Sequence, residues 1–385
     1  MFYDLIIYTP MYVTAFWAIV LLVSSGAKNR ARQLLGFFMI IAFWVYLSHA
    51  LYFKTQFSAY IFFDPIYVFS SLSVYPMYYW YIKLLTVESR FNLVNLKLFL
   101  PALILSSVTG LIFVLMSPVE RIEYIRSYLF QIDEVKSKSG LLTIQHIVFV
   151  ASRIVFTIQI FVFILLGRKL VLQYNSRIAN FYSNLEDKKL VWVNLLLYSF
   201  FATSLMSIIF NLIGRAAFIN SIFLLLIPSS IFSVLLFVIG FQGYMQNHSV
   251  TDLVEDEKNT SEFSLKEYNQ AQLKDKLLTI FDQQKIYRQS DLKITQVALL
   301  LQTNRTYVSI LINTEFKCTF SEFVNQYRIL EAKKLMADSK QQNFTLEYIS
   351  DAAGFGSVNS FIRIFKESEG LTPGKFKERL LVSES

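Results

Sequence analysis

The sequence predicts an all-α chain: a seven-helix transmembrane bundle followed by a cytoplasmic domain built on two helix–turn–helix units. Three observations lead there. Hydrophobic residues make up 54% of the 385 and charged ones only 17%, with 37 Phe and 22 Tyr. The mean hydropathy is +0.45, too apolar for a water-soluble chain of this length. The apolar excess stops near Phe241, after which the composition is that of an ordinary soluble domain. Finally, one short pattern occurs twice between about Asp291 and Lys377: a small apolar helix, a tight turn, and a second helix opening on a polar cap.

Seven apolar runs reach the roughly 20 residues that a helix needs to cross a bilayer. They fall near Leu5–Ser24, Leu34–Phe53, Ala59–Tyr81, Leu98–Met116, Leu142–Leu166, Leu190–Ile213 and Ala217–Gly240, within a bundle assigned to residues 1–243. No basic segment precedes the first run, which is also too long for a cleaved signal peptide. Loops after the odd-numbered spans carry the basic residues: Lys28, Arg30 and Arg32, then Lys83, Arg90 and Lys97, then Arg168, Lys169, Arg177, Lys188 and Lys189. Loops after spans two and six carry only Lys54 and Arg215, and the long fourth loop, Ser117–Gly140, mixes both signs. The positive-inside rule then sets the N-terminus outside and the C-terminus in the cytoplasm. Pro76 and Pro228 fall inside spans three and seven and invite kinks. Tyr78-Tyr79-Trp80-Tyr81 fits an interfacial aromatic belt.

Arg153 lies near the middle of the fifth span, where a charge is costly unless it faces a polar interior or a partner. His146 sits seven positions earlier, on the same helical face, and Asp64 at the outer end of span three is a candidate partner. Two readings stand: an outward-facing pocket for a small ligand anchored by Arg153, or an internal structural ion pair.

Residues 244–264 read as a polar linker that includes Glu255-Asp256-Glu257. A helix is expected over about Leu265–Gln283, either an arm docked on the domain that follows or a dimer seam. In the first copy of the repeated pattern, Ile294–Leu301 leads through Gln302-Thr303 to Asn304, and Arg305–Asn313 follows. In the second, Leu346–Ala353 leads through Gly354-Phe355-Gly356 to Ser357, and Val358–Lys366 follows. Asn304 and Ser357 are good N-caps, because their side-chain oxygens accept an amide of the first turn. Val308, Leu311 and Ile312 of one copy match Phe361, Ile364 and Phe365 of the other, at the spacing of one buried face. The outward positions differ between the copies. A plain helical bundle would show the same periodicity, and a pair of reading heads for unlike half-sites would need the same divergence.

The runs TNRTYVSILIN, FSEFVNQYRILEAKKLM and GFGSVNSFIRIFKESEGLTPGKFKE resemble the AraC/XylS-type DNA-binding domain. The resemblance covers the last hundred or so residues, about a quarter of the chain, within a domain assigned to residues 265–385. It implies two helix–turn–helix units, about 292–314 and 345–367, joined by a linker helix over about 319–337. It also implies a transcription regulator whose second helices enter successive major-groove segments. Ser350, Cys318 and Ile310 depart from the usual pattern, and Ile310 stands where a basic residue is frequent. On this reading Arg305, Thr306 and Ser309 of the first unit, and Asn359, Ser360, Arg363 and Lys366 of the second, are the expected DNA contacts. Arg suits guanine, Asn suits adenine, and Ile310 suits a thymine methyl. Arg328, Lys333, Lys334 and Lys375 are candidate phosphate contacts or a solvated face. The region from Leu265 onward holds 17 Lys/Arg against 14 Asp/Glu, so charge must be placed rather than abundant.

Catalytic chemistry is poorly served. Three scattered His (His49, His146, His248) and one Cys form no zinc or redox spacing. No phosphate loop, nucleophile elbow or HExxH occurs. No enzyme activity, cofactor or metal is expected, and Cys318 reads as an inert, half-buried thiol. The expected partners are double-stranded promoter DNA, the lipid bilayer, a second copy in a homodimer, a small-molecule or membrane-borne signal, and RNA polymerase. The expected place is a bacterial inner membrane. The alternative is a receptor or transporter-like protein whose cytoplasmic tail binds a protein partner.

Overall fold

A computed structural model describes residues 2–24, 29–87, 93–134, 139–186, 222–245, 270–342 and 344–382, with short pieces between 198 and 209. Regular structure among the described residues is helical throughout, with one isolated antiparallel bridge. The chain divides into two compact units. One comprises Met1–Val171 and Val191–Val250, the other Leu172–Leu190 and Thr251–Ser385.

The first unit contains α1 (Phe2–Ser24), α2 (Arg30–Phe53), α3 (Phe57–Thr86), α4 (Leu100–Leu115), a short α5 (Pro118–Glu123), α6 (Gly140–Ala179, which continues into the second unit) and α7 (Ile222–Met245). Among the described residues six helices are long and apolar enough to cross a membrane. The sixth expected span, Leu190–Ile213, lies for the most part outside the described residues, as do the first residues of the seventh and nearly all of the 244–264 linker. Large apolar side chains point outward along the helices, among them Leu5, Phe62, Leu111, Ile154 and Phe223. Helix α3 runs unbroken through Pro65 and Pro76. Helix α6 has 40 residues, about 60 Å at 1.5 Å per residue. Arg168 and Lys169 end its apolar run but not the helix, because no proline stands between them and Ala179.

Close contacts hold the bundle. A Cβ at Gly240 of α7 would lie 2.2 Å from the Trp17 ring of α1, so only a glycine lets these two helices approach. The fourth loop is ordered rather than slack over its described part. Ser117 and Glu120 form a capping box on α5, Arg126 pairs with Asp133 at 2.6 Å, and Phe130 stacks on Tyr52 with ring centroids 4.1 Å apart. Tyr52 completes the join by donating to the Leu129 carbonyl at 3.0 Å.

The second unit contains α8 (Gln270–Asp282), a short turn at Ile286–Arg288, α9 (Ile294–Leu300), α10 (Arg305–Leu311, prolonged by a wider turn through Phe316), α11 (Phe320–Gln342), α12 (Leu346–Ala352), α13 (Val358–Glu369) and α14 (Pro373–Val382). Helix α8 buries Leu273, Leu277 and Phe281 within the single chain. Phe281 sits 4.9 Å from Phe323 and 5.0 Å from Tyr327 of α11. Within the chain, α8 therefore docks as an arm on α11. Ile329, Ala332 and Met336 of α11 form one core with Ile349, Ala353, Phe355, Phe361 and Phe365, so α11 fixes the second helix pair through apolar burial.

Candidate nucleic-acid interface

The two helix pairs close with the same main-chain bonds. At the end of α9, the Gln302 amide donates to Leu299 at 3.0 Å and the Thr303 amide to Ala298 at 2.9 Å. At the end of α12, the Gly354 amide donates to Asp351 and the Phe355 amide to Ser350, both at 2.9 Å. These are two Schellman closures, each needing one left-handed residue. That residue is Gln302 (φ 53°) in one and Gly354 (φ 87°) in the other. The caps then start the second helices: Asn304 accepts from the Tyr307 amide at 3.1 Å and Ser357 from the Ser360 amide at 3.1 Å. Turn and cap together set the angle at which α10 and α13 leave.

On α10, Arg305 and Ser309 are half-exposed, and Thr306 and Asn313 are exposed. Ile310 is 51% exposed. On α13 the outward row is Asn359, Arg363 and Lys366. Among the described residues Arg363 pairs with Glu367, at 3.4 Å on an exposed face, a link too weak to hold it from another partner.

Two sequence expectations need correction. Ser360 is 4% exposed and stands beside Phe361 on α13, so with the chain folded this way its side chain is not open to a groove. Arg328 is 1% exposed and is no phosphate contact. Its guanidinium donates to the carbonyls of Tyr287 (2.8 Å), Gln289 (2.7 Å) and Ser290 (3.3 Å) and to the Ser183 hydroxyl (3.1 Å). Burial pulls its pKa down to about 10, which leaves it charged at neutral pH. The sign was present in the sequence, because Val324, Arg328 and Ala332 follow one another at four-residue spacing on the buried face.

One turn along α11, buried Glu331 accepts from Tyr287 (3.0 Å), Lys285 (3.3 Å) and Arg288. Together Arg328 and Glu331 fasten the Ile286–Arg288 turn, and with it the entry to α9. Lys333 pairs with Glu369 at 2.9 Å, while Lys334, Lys366 and Lys375 are exposed. Burial raises the Cys318 pKa, in keeping with an inert thiol.

In the first unit, a cavity of about 260 Å³ opens among α1, α2, α3, α6 and α7. Arg153 lines it with His49, Tyr46, Tyr67, Ser71 and Ser229. His146 lies outside its wall, with its ring 5.0 Å from that of Tyr128. Asp64 is buried in α3 and is not part of the lining. Of the three residues expected together, Arg153 alone is in the lining, and the other lining residues come from helices far apart in the chain. No group of His, Cys, Asp and Glu that could hold a metal ion occurs among the described residues.

With both turns and both caps in place, comparison with known proteins is informative. Residues 288–379 match the helix-turn-helix domain family. The chain is similar to the "uncharacterized HTH-type transcriptional regulator YtdP" of Bacillus subtilis (strain 168), with 31% identity over 91 residues, 24% of this chain and 11% of that relative. It is similar to the "uncharacterized HTH-type transcriptional regulator YfiF" of the same strain, with 34% identity over 86 residues, 22% of this chain and 26% of the relative. The "probable transcription factor PqrA" of Proteus vulgaris shares 38% over 65 residues, 17% of this chain and 51% of its own length. The matched parts thus span about half or less of each relative. No solved structure matches the chain.

Proposed function

We propose that this chain is a membrane-bound transcription regulator that binds duplex DNA through α10 and α13 and acts by binding rather than catalysis. The observation that carries the reading is the pair of identically closed and capped helix–turn–helix units with unlike outward faces, lying within the segment that matches the helix-turn-helix family. Arg305, Thr306 and Ser309 read one half-site, and Asn359, Arg363 and Lys366 the other. Six long apolar helices with outward-facing Leu, Ile and Phe support a bilayer for the first unit, since water would penalise such a surface. The basic loops support a cytoplasmic second unit. Two copies sharing one operator would offset the modest charge surplus through avidity.

Retention of duplex by the full chain in nanodiscs, weakening as salt is added, is the expected result. Failure to retain duplex even at low salt would instead favour the protein-partner reading. Arg363→Ala is expected to lower affinity for a selected duplex about ten- to a hundredfold, the 1–3 kcal/mol of a bidentate base contact, with little change on random duplex. Equal losses on both would reduce Arg363 to a backbone contact.

The cavity beside Arg153 supports a signal site in the first unit. Arg153→Ala is expected to abolish the signal response of a reporter strain while the protein stays at normal level in the membrane. An unchanged response would leave Arg153 a packing residue.

A further inference from the structure

The loop that follows the fifth span is part of the candidate DNA-binding unit. Residues 172–190 group with Thr251–Ser385, and Phe181, Tyr182 and Ser183 are as buried as any core position there. Tyr182 forms an antiparallel bridge with Lys293. The Ile294 amide donates to Phe181 and the Ser183 amide to Leu292, both at 3.0 Å, so the loop is pinned to the entry of α9 on both sides of the bridge. Ser183 is held twice more: its carbonyl accepts from Ser321 at 3.0 Å and its hydroxyl from Arg328 at 3.1 Å. Three residues on, the Glu186 carboxylate accepts from the Ser357 hydroxyl at 2.9 and 2.7 Å. One short segment therefore touches both helix pairs and the helix that joins them.

Where it touches them gives the contact a meaning. Ser357 is the cap of α13, and Glu186 sets a negative charge at the helix end whose amides and dipole would receive a DNA phosphate. Phe181 lies under the Arg305 guanidinium, 5.7 Å from ring centre to carbon, at the first position of α10. A phosphate or base edge brought to these first turns meets a carboxylate in one and an arginine already covered by a ring in the other. The same segment follows directly on α6, and α6 carries Arg153, which lines the cavity in the first unit. Only differential affinity for two states lets a signal act on such a contact; a helix shared by cavity and loop supplies the covalent connection.

We infer that residues 181–186 are an intramolecular clip that competes with DNA for the first turns of α10 and α13, with Glu186 standing where a phosphate would. The inference rests on the DNA-binding reading above. Release of the clip switches the regulator to its DNA-binding form.

A lockable clip tests this in the full chain in nanodiscs. A Cβ at Gly356 would lie 3.3 Å from the side-chain carbon of Asn184, so Asn184→Cys with Gly356→Cys, in a Cys318→Ser background, brings two thiols within disulfide reach. The probe is a duplex selected from a random pool on the Cys318→Ser parent. The parent and the reduced pair are expected to hold it alike, and the oxidised pair to hold it at least about tenfold more weakly. Independently, Glu186→Gln in the parent is expected to tighten binding of selected and random duplex alike, because the repulsion it removes is not sequence-specific.

Oxidised protein that binds like reduced protein, or cysteines that do not cross-link without DNA, would overturn the clip. Unchanged or weaker binding by Glu186→Gln would do the same. A parent that selects no duplex at all would overturn the DNA-binding reading and take the clip with it, a result distinct from the others.

Discussion

Arg328→Ala is expected to destabilise the second unit by about 3–5 kcal/mol, a large part of the 5–15 kcal/mol that holds an ordinary domain together. The side chain is fully buried and donates to the carbonyls of Tyr287, Gln289 and Ser290. Each buried acceptor that loses its donor costs about 1–3 kcal/mol, and the vacated volume adds a cavity penalty. Recovered desolvation of the charge offsets part of this sum, which keeps it below the simple total. Pulse proteolysis of the nanodisc-held chain across a urea series measures the change. Arg328→Lys is expected to restore less than half of it, because an ammonium on a flexible stem does not reproduce the planar fork that serves several acceptors at once. A loss below about 1 kcal/mol for Arg328→Ala would mean that these bonds are replaced by water.

Gly354→Ala is expected to cost the same unit about 2–5 kcal/mol. Part of this is conformational: φ is +87°, and an L side chain in the left-handed region costs about 1–2 kcal/mol. The rest is steric. The added Cβ would lie 2.4 Å from the Cα and 2.6 Å from the carbonyl of Arg288, main-chain atoms that cannot swing aside, and such overpacking costs about 1–3 kcal/mol. Gly370→Ala isolates the first part, since φ there is +73° and nothing lies within 4 Å of the added carbon. Its expected cost is about 1–2 kcal/mol in the same urea series. Equal losses at the two glycines would show that the Arg288 backbone yields.

Local pattern is where the sequence is most legible. The caps Asn304 and Ser357, the two turns and the buried Val308, Leu311, Phe361 and Phe365 follow from spacing within a dozen residues. The apolar spans follow from length and composition. What resists reading is a side chain whose role is set across the chain. Counting charge sends Arg328 to the surface, although its neighbours at four-residue spacing mark a buried face. Ser360 fails by one position, because a helical face has an edge and the hydroxyl falls just inside it. The docking of Ser183 on Arg328, 145 positions away, has no periodic sign at all. Nor does anything local in Phe181-Tyr182 point to the bridge with Lys293.

The twin Schellman closures bear on how such a regulator changes its targets. Their bonds run between main-chain groups and their support comes from buried side chains, so positions 305, 306 and 309 on one helix, and 359, 363 and 366 on the other, take no part in holding the turns. Substitutions there leave the scaffold standing. On the reading proposed above, each half of a recognised sequence is free to drift independently, and a lineage could acquire a new promoter one half-site at a time without passing through an unfolded ancestor.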